Sequence, residues 1–210
     1  ERGRNTIHVY RPEDIQNSRH LGDLDWIACI RSALEQDHFC LYAQSIAALQ
    51  PSQRKGQHFE VLLRLKGETD QLIMPADFIP AAERYGMMPA LDRWVFNKTL
   101  ATLSARPDVL EGIDTCAVNL SAASLNDENL LNFLQTQMHS YGIEPGIICF
   151  EITETGAIAN LANATRLIES LRALGCRFAL DDFGVGMSSL TYLKQLPVDY
   201  VKIDGGFVHD

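Results

Sequence analysis

Apolar residues recur along the chain with two periods, and the alternation between those periods predicts its elements. Over Asp23–Glu35, Leu24, Trp26, Ile27, Ile30 and Leu34 fall at helical spacing, which predicts an amphipathic helix. Short apolar runs rich in β-formers follow at Phe39–Ile46, Phe59–Leu65, Thr115–Leu120, Ile147–Ile152, Arg177–Asp182 and Tyr200–Asp204. Between them Pro75–Tyr85 and Pro89–Leu103 read as two helices. Ala157–Leu174 reads as one long helix stopped by Gly175, and Ser188–Leu196 as a short one ended by Pro197. Ahead of all these, Arg4–Tyr10 alternates polar and apolar like a strand and is followed by the polar stretch RPEDIQNSRH. The expected organisation is a terminal strand of a preceding domain over residues 1–10, a linker over 11–20, and one domain from Leu21 to Asp210.

Strands that alternate with helices imply parallel pairing through crossovers. A (β/α)8 barrel and a doubly wound open sheet both satisfy that pattern. No G-x-G-x-x-G or Walker loop follows a strand, which lowers the nucleotide-binding open sheet.

Composition narrows the class. The chain has 210 residues, 46% hydrophobic and 21% charged, enough to bury a core and unlike a disordered or collagenous chain. Its 27 acidic and 18 basic side chains leave a net charge of −9, which argues against a broad basic surface for DNA, RNA or anionic membrane. A small anionic ligand is compatible if metal ions or a few local cations offset the acidity. Five widely spaced cysteines, Cys29, Cys40, Cys116, Cys149 and Cys176, form no C-x-x-C pair and read as buried free thiols of a reducing cytoplasm. The apolar runs are too short to span a bilayer, so the expected location is cytoplasmic, with any membrane anchor carried by other domains of a parent protein. A chain that starts without Met reads as a piece of a longer one.

The chemistry lies where polar residues interrupt the strands: Gln44 in LYAQSI, Glu60 in FEVLLRL, Asn119 in AVNLS, Glu151 and Glu154 in FEITE, Asp181 and Asp182 in ALDDFG, Lys202 and Asp204 in VKID. In a parallel barrel these positions share the C-terminal mouth, where barrel active sites are built. Several carboxylates converging on one cavity need cations, because an unpaired buried carboxylate costs several kcal/mol or more. Oxygen donors with one Asn carbonyl and no converging His or Cys favour magnesium or manganese over zinc. Two such ions about 3.5–4 Å apart would clamp a phosphoryl group and activate water, which suggests phosphoester hydrolysis. Each residue also has a plainer explanation: Glu60 as a solvated charge, Asn119 or Glu154 as a turn or cap, Asp181-Asp182 as an Asx-turn, Lys202 and Asp204 as a surface ion pair. Their equivalent placement on successive strands is what favours a site.

The segments FEVLLRL, DFIPAAERYG, LDRWVF, VNLSAASL, FEITET and LDDFGVGMSSLTYLKQLPVDYVKID resemble the EAL-domain family of cyclic di-GMP phosphodiesterases, from about Leu34 to Val208. GRNTIHVY resembles the last strand of a GGDEF domain, so upstream GGDEF and sensory domains are expected in the parent chain. The resemblance implies an α/β fold, a (β/α)8 TIM-type barrel with a modified first strand, and hydrolysis of cyclic di-GMP to linear pGpG with two magnesium or manganese ions. It implies metal ligation by Glu60, Asn119, Glu151 and Asp181, with Asp182 on the second metal. Lys202 is then expected to contact the metal-bound water and the phosphate, Arg64 to hold a phosphate oxygen, and Glu154 to anchor the DDFG loop, whose face mediates homodimerisation in the family. Gln44 and the Phe78-Ile79-Pro80 segment are expected to help line the dinucleotide cleft. Val61 replaces the Ala of the family signature, and Val185 and Met187 replace the commoner Thr and Tyr of the DDFG loop. The given chain stops after the sixth strand signal, so the last two barrel strands, with a further catalytic Glu and a guanine-contacting Gln, are expected beyond Asp210. The alternative is a catalytically weak or inactive EAL domain that binds cyclic di-GMP as a receptor.

Overall fold

Parallel strands followed by helices make up most of the chain in the computed structural model, which describes residues 22–50, 56–67, 71–185 and 190–207. The expected strand at Arg4–Tyr10, the linker, the domain start at Leu21, and Met187 lie outside these residues. The chain divides into two compact units, one comprising the chain up to Cys40 with Leu63–Tyr85, the other Leu41–Leu62 with the chain from Gly86 onward.

In the smaller unit α1 (Asp23–Glu35) buries Trp26, Cys29, Ile30 and Ala33, a helical stripe, and the Asp25 carboxylate accepts from the Gly22 backbone N–H at its start. Helix α2 (Pro75–Arg84) contributes Phe78, whose ring packs against Trp26 at 6.3 Å and Phe39 at 5.7 Å between centroids. The end of β2 (Gln57–Lys66) pairs antiparallel with the two-residue β3 (Leu72–Ile73).

The larger unit is built on β1 (Phe39–Ser45), the first half of β2, β4 (Ile113–Asn119), β5 (Ile148–Thr153), β6 (Arg177–Phe183) and β7 (Tyr200–Ile203), side by side in that order. Each pairing from β2 to β7 is parallel, as the alternation of strands and helices implied. Strands β4 to β6 bury both faces and therefore read as nearly continuous apolar runs. One face meets the helices: Phe150 and Phe178 stack at 5.5 Å, and Phe150 stacks on Phe96 of α3 (Met88–Ser104) at the same distance. The opposite face carries Ala117, Cys149 and Ala179, with Tyr200 packed against them.

One expected helix and one expected buried thiol need correction. The helix expected over Ala157–Leu174 is two, α6 (Glu154–Ala159) and α7 (Leu161–Ala173), after the short α4 (Pro107–Leu110) and α5 (Leu130–Tyr141). The break falls at Asn160, which leaves helical geometry (φ −144°, ψ 67°) so that its side chain can accept from the Asn163 N–H and cap α7. Helix α5, not among the expected elements, buries Leu130, Leu134 and Met138 and exposes Asn132, Thr136, His139 and Ser140, a helical contrast that its sequence does carry. Cys40 is only half-buried, unlike Cys29, Cys116, Cys149 and Cys176. The short helix before Pro197 is described as α8 (Leu190–Leu193).

Candidate active site

The site grows out of strand register. Parallel pairing sets Asn119 of β4 beside Glu151 of β5, Glu151 beside Ala179 of β6, and Ala179 beside Tyr200 of β7. Side chains two residues apart share a face, so Asp181 and Lys202 stand one step above Ala179 and Tyr200. Glu60 of β2 lies beside Ala117 of β4, on the same face and one step below Asn119.

These residues touch. The Lys202 ammonium donates to Glu151 Oε2 at 2.5 Å and to Glu60 Oε2 and Asp181 Oδ2 at 3.0 Å each. Asn119 Nδ2 donates to Glu60 Oε1 at 2.8 Å, which orients its amide oxygen away from that bond. Lys202 therefore does not simply pair with its sequence neighbour Asp204, whose carboxylate accepts from the Gly206 N–H. Burial pushes the Glu151 carboxyl up to about 7, with Glu60 and Asp181 adding to the rise and Lys202 opposing it. Burial works against the Lys202 charge too, but its bonds to Glu151, Asp181 and Glu60 win and raise it.

The donor set fits a metal ion. One carboxylate oxygen from each of Glu60, Glu151 and Asp181 lies within 4.8 Å of the others, already drawn around a cationic point. Three carboxylates against one ammonium leave negative charge in excess. Hard oxygen donors of this kind suit a hard divalent cation, and no His or Cys joins the cluster among the described residues.

The neighbouring residues hold the rim. Asp182 adopts the left-handed region (φ 55°) and its N–H donates to Asp181 Oδ1 at 2.9 Å. Burial raises its carboxyl, helped by Asp181 and Asp204. Glu154 is fully buried at the start of α6, where it accepts from the Gly184 N–H at 2.7 Å and from the Tyr192 hydroxyl. Gly184 has φ 103°, and a Cβ there would stand 2.4 Å from the Phe207 ring.

The remaining expected residues lie on β1, β2 and α2. Gln44 is exposed on β1. Arg64, in the smaller unit, is half-buried with its guanidinium donating to the Leu63 carbonyl at 2.7 Å. Pro80 is exposed on α2. Phe78 is fully buried in the smaller unit, its ring against Trp26 and Phe39. Val61 is buried on the face of β2 opposite Glu60, while Val185 is exposed. Two residues not anticipated are Tyr192, on Glu154, and Asp92 of α3, which accepts from Ser121 and Ser124 just beyond Asn119. Asp92 had a signal, a carboxylate inside the apolar periodicity of the second predicted helix.

The chain is 40% identical over 208 residues to the cyclic di-GMP phosphodiesterase PdeB of Shewanella oneidensis, covering 99% of this chain and 24% of that protein. It is 35% identical over 181 residues to the cyclic di-GMP phosphodiesterase PdeF of Escherichia coli, covering 86% and 24%. The chain thus spans about a quarter of the length of these curated relatives. Among solved structures, the FimX EAL domain from Pseudomonas aeruginosa bound to c-di-GMP superposes with a TM-score of 0.81 at 34% identity, over 89% of this chain and 74% of that one. The parallel α/β architecture is that of these TIM-barrel-like domains. The EAL domain family matches residues 28–210, a span that includes every member of the carboxylate and lysine cluster, and the chain belongs to that family.

Proposed function

We propose that this chain is the catalytic domain of a cyclic di-GMP phosphodiesterase, which opens one phosphodiester of the cyclic dinucleotide to give linear pGpG. The observation that carries the reading is the convergence of Glu60, Glu151 and Asp181 on Lys202 from one face of the parallel strands β2, β5, β6 and β7. Glu60, Asn119, Glu151 and Asp181 hold a magnesium or manganese ion, and Asp182 takes part in holding a second. Bound there, the metals supply charge neutralisation and Lewis acidity at the phosphate. Lys202 stays protonated and presents its ammonium to the phosphate, a role supported by its bonds to Glu151, Asp181 and Glu60, which make it hold its proton more tightly. Glu154 fixes the backbone at Gly184, just past the end of β6 that carries Asp181 and Asp182. In the same proposal the parent protein works in the cytoplasm as a homodimer through the DDFG-loop face, with GGDEF and sensory domains upstream. No helix among the described residues is long and apolar enough to cross a membrane.

The test is turnover by the parent protein. Incubated with cyclic di-GMP and magnesium or manganese, it should yield pGpG by chromatography, and Glu60→Gln should abolish the product. Tight binding of cyclic di-GMP without turnover would instead make this a receptor domain.

A further inference from the structure

Three acidic side chains are buried in the larger unit among the described residues: Glu151, Glu154 and Asp92. The first two belong to the cluster and its loop, whereas Asp92 sits in α3 among Leu91, Val95, Phe96 and Thr99, on the face that packs inward. A carboxylate there is costly unless its oxygens are satisfied. One oxygen, Oδ2, accepts three bonds: from the Ser121 N–H at 2.9 Å, the Ser121 hydroxyl at 2.6 Å and the Ser124 hydroxyl at 2.6 Å. Charge-assisted bonds of this length are about twice as strong as neutral ones.

The bonded segment is the one that follows the expected metal ligand. Ser121 lies two residues past Asn119, and between them the Leu120 N–H donates to the Glu151 carbonyl at 2.8 Å. The far side of the segment is also confined: a Cβ on Gly156 of α6 would stand 3.1 Å from Cβ of Ala122. Asn119 thus projects from a stretch held by the sheet, by α6 and by the Asp92 carboxylate. Of these three, Asp92 supplies side-chain charge and fixes direction through three separate donors.

We propose that Asp92 is a positioning residue of the metal site, setting the aim of the Asn119 side chain through Leu120–Ser124. The inference rests on the reading above that Asn119 ligates the metal. Outer partners of metal ligands commonly change affinity or activity about 10–100-fold when removed. Asp92→Ala in the full-length protein should weaken Mn2+ binding, followed by electron paramagnetic resonance without substrate, by roughly that factor. Asp92→Asn keeps an oxygen acceptor in the same place and should recover most of the loss, which a requirement for mere volume would not distinguish. Ser121→Ala, which removes one hydroxyl bond and leaves the backbone bond, should fall between the two, and it decides the matter if Asp92→Ala does not fold. Asn119→Ala is the reference. If Asn119→Ala weakens Mn2+ binding while folded Asp92→Ala and Ser121→Ala bind as the unsubstituted protein does, the positioning role is wrong. If Asn119→Ala itself binds Mn2+ unchanged, or the unsubstituted protein binds none, the metal-ligand reading fails and takes this inference with it.

Discussion

The strands of the larger unit carry a polar cluster at each end, and the two obey different rules. Toward the C-terminal ends, Glu60, Glu151 and Asp181 share the single ammonium of Lys202. Near the starts of the same strands, one carboxylate, Asp114, accepts from Arg177 Nη1 at 3.1 Å and the Thr115 hydroxyl at 3.2 Å, and lies 2.8 Å from His58 Nε2. Arg177 also donates to the Thr115 hydroxyl at 2.7 Å and to Tyr200 at 3.4 Å. A layer of small residues, Ala117, Cys149 and Ala179, lies between. The lower cluster nearly balances its charges and needs nothing from outside. The upper one keeps an excess of carboxylates, and it is this imbalance that the proposed cation and anionic substrate would answer.

The contrast can be broken most severely from above. Glu60→Gln should cut pGpG formation by more than about 100-fold, beyond the range typical of outer partners of metal ligands, while the melting temperature in chelator holds or rises because a like charge leaves the cluster. Lys202→Met removes the one cation among three carboxylates. Measured by denaturant unfolding in chelator, it should cost about 2 kcal/mol, less than a fully buried pair because the ammonium is partly exposed. Added Mn2+ should restore more stability to this variant than to the unsubstituted protein, and equal gains would show that the carboxylates do not share a cation site. From below, Asp114→Asn should cost no more than about 1 kcal/mol and leave turnover per folded molecule unchanged.

The smallest effect concerns acid. The bond from Arg177, ahead of its charge, the Thr115 bond and His58, holds the Asp114 carboxyl below its ordinary value of 3.8. Its ionised form is therefore favoured in the folded state. The stability it contributes is fully present above pH 3.8 and is lost as pH falls through the depressed folded value. The melting temperature of Asp114→Asn should consequently converge on that of the unsubstituted protein as acid is added. A gap that widens instead would assign the acid sensitivity to other carboxylates.

Much of this was legible because burial on both strand faces makes a polar residue conspicuous. Asn119, Glu151, Asp181 and Lys202 each interrupt an apolar run, and parallel register then brings them to one face of the sheet within one step of each other. The lower cluster was not legible, since His58, Asp114 and Arg177 fall at strand margins where polar residues are ordinary. Phe78 lay in a segment expected to meet ligand, yet its fate depends on Trp26 and Phe39, residues far off in the sequence. Asn160 was hidden for a different reason. Apolar spacing continues through it, and only the competition of its side chain for the backbone of α7 breaks the helix.

Asp182 separates two properties that usually change together. With φ at 55° it occupies a region that Asn and Asp enter more readily than other side chains except glycine. Replacement by Asn keeps the backbone and discards the charge, whereas replacement by Glu keeps the charge and strains the backbone. The acceptable alphabet at this position is thus nearly confined to residues that fit the turn, and of those Asp alone is an anion. A domain that drifted away from catalysis could exchange Asp182 for Asn or Gly without disturbing its fold, so the identity of this one residue reads as a record of which demand has been acting on it.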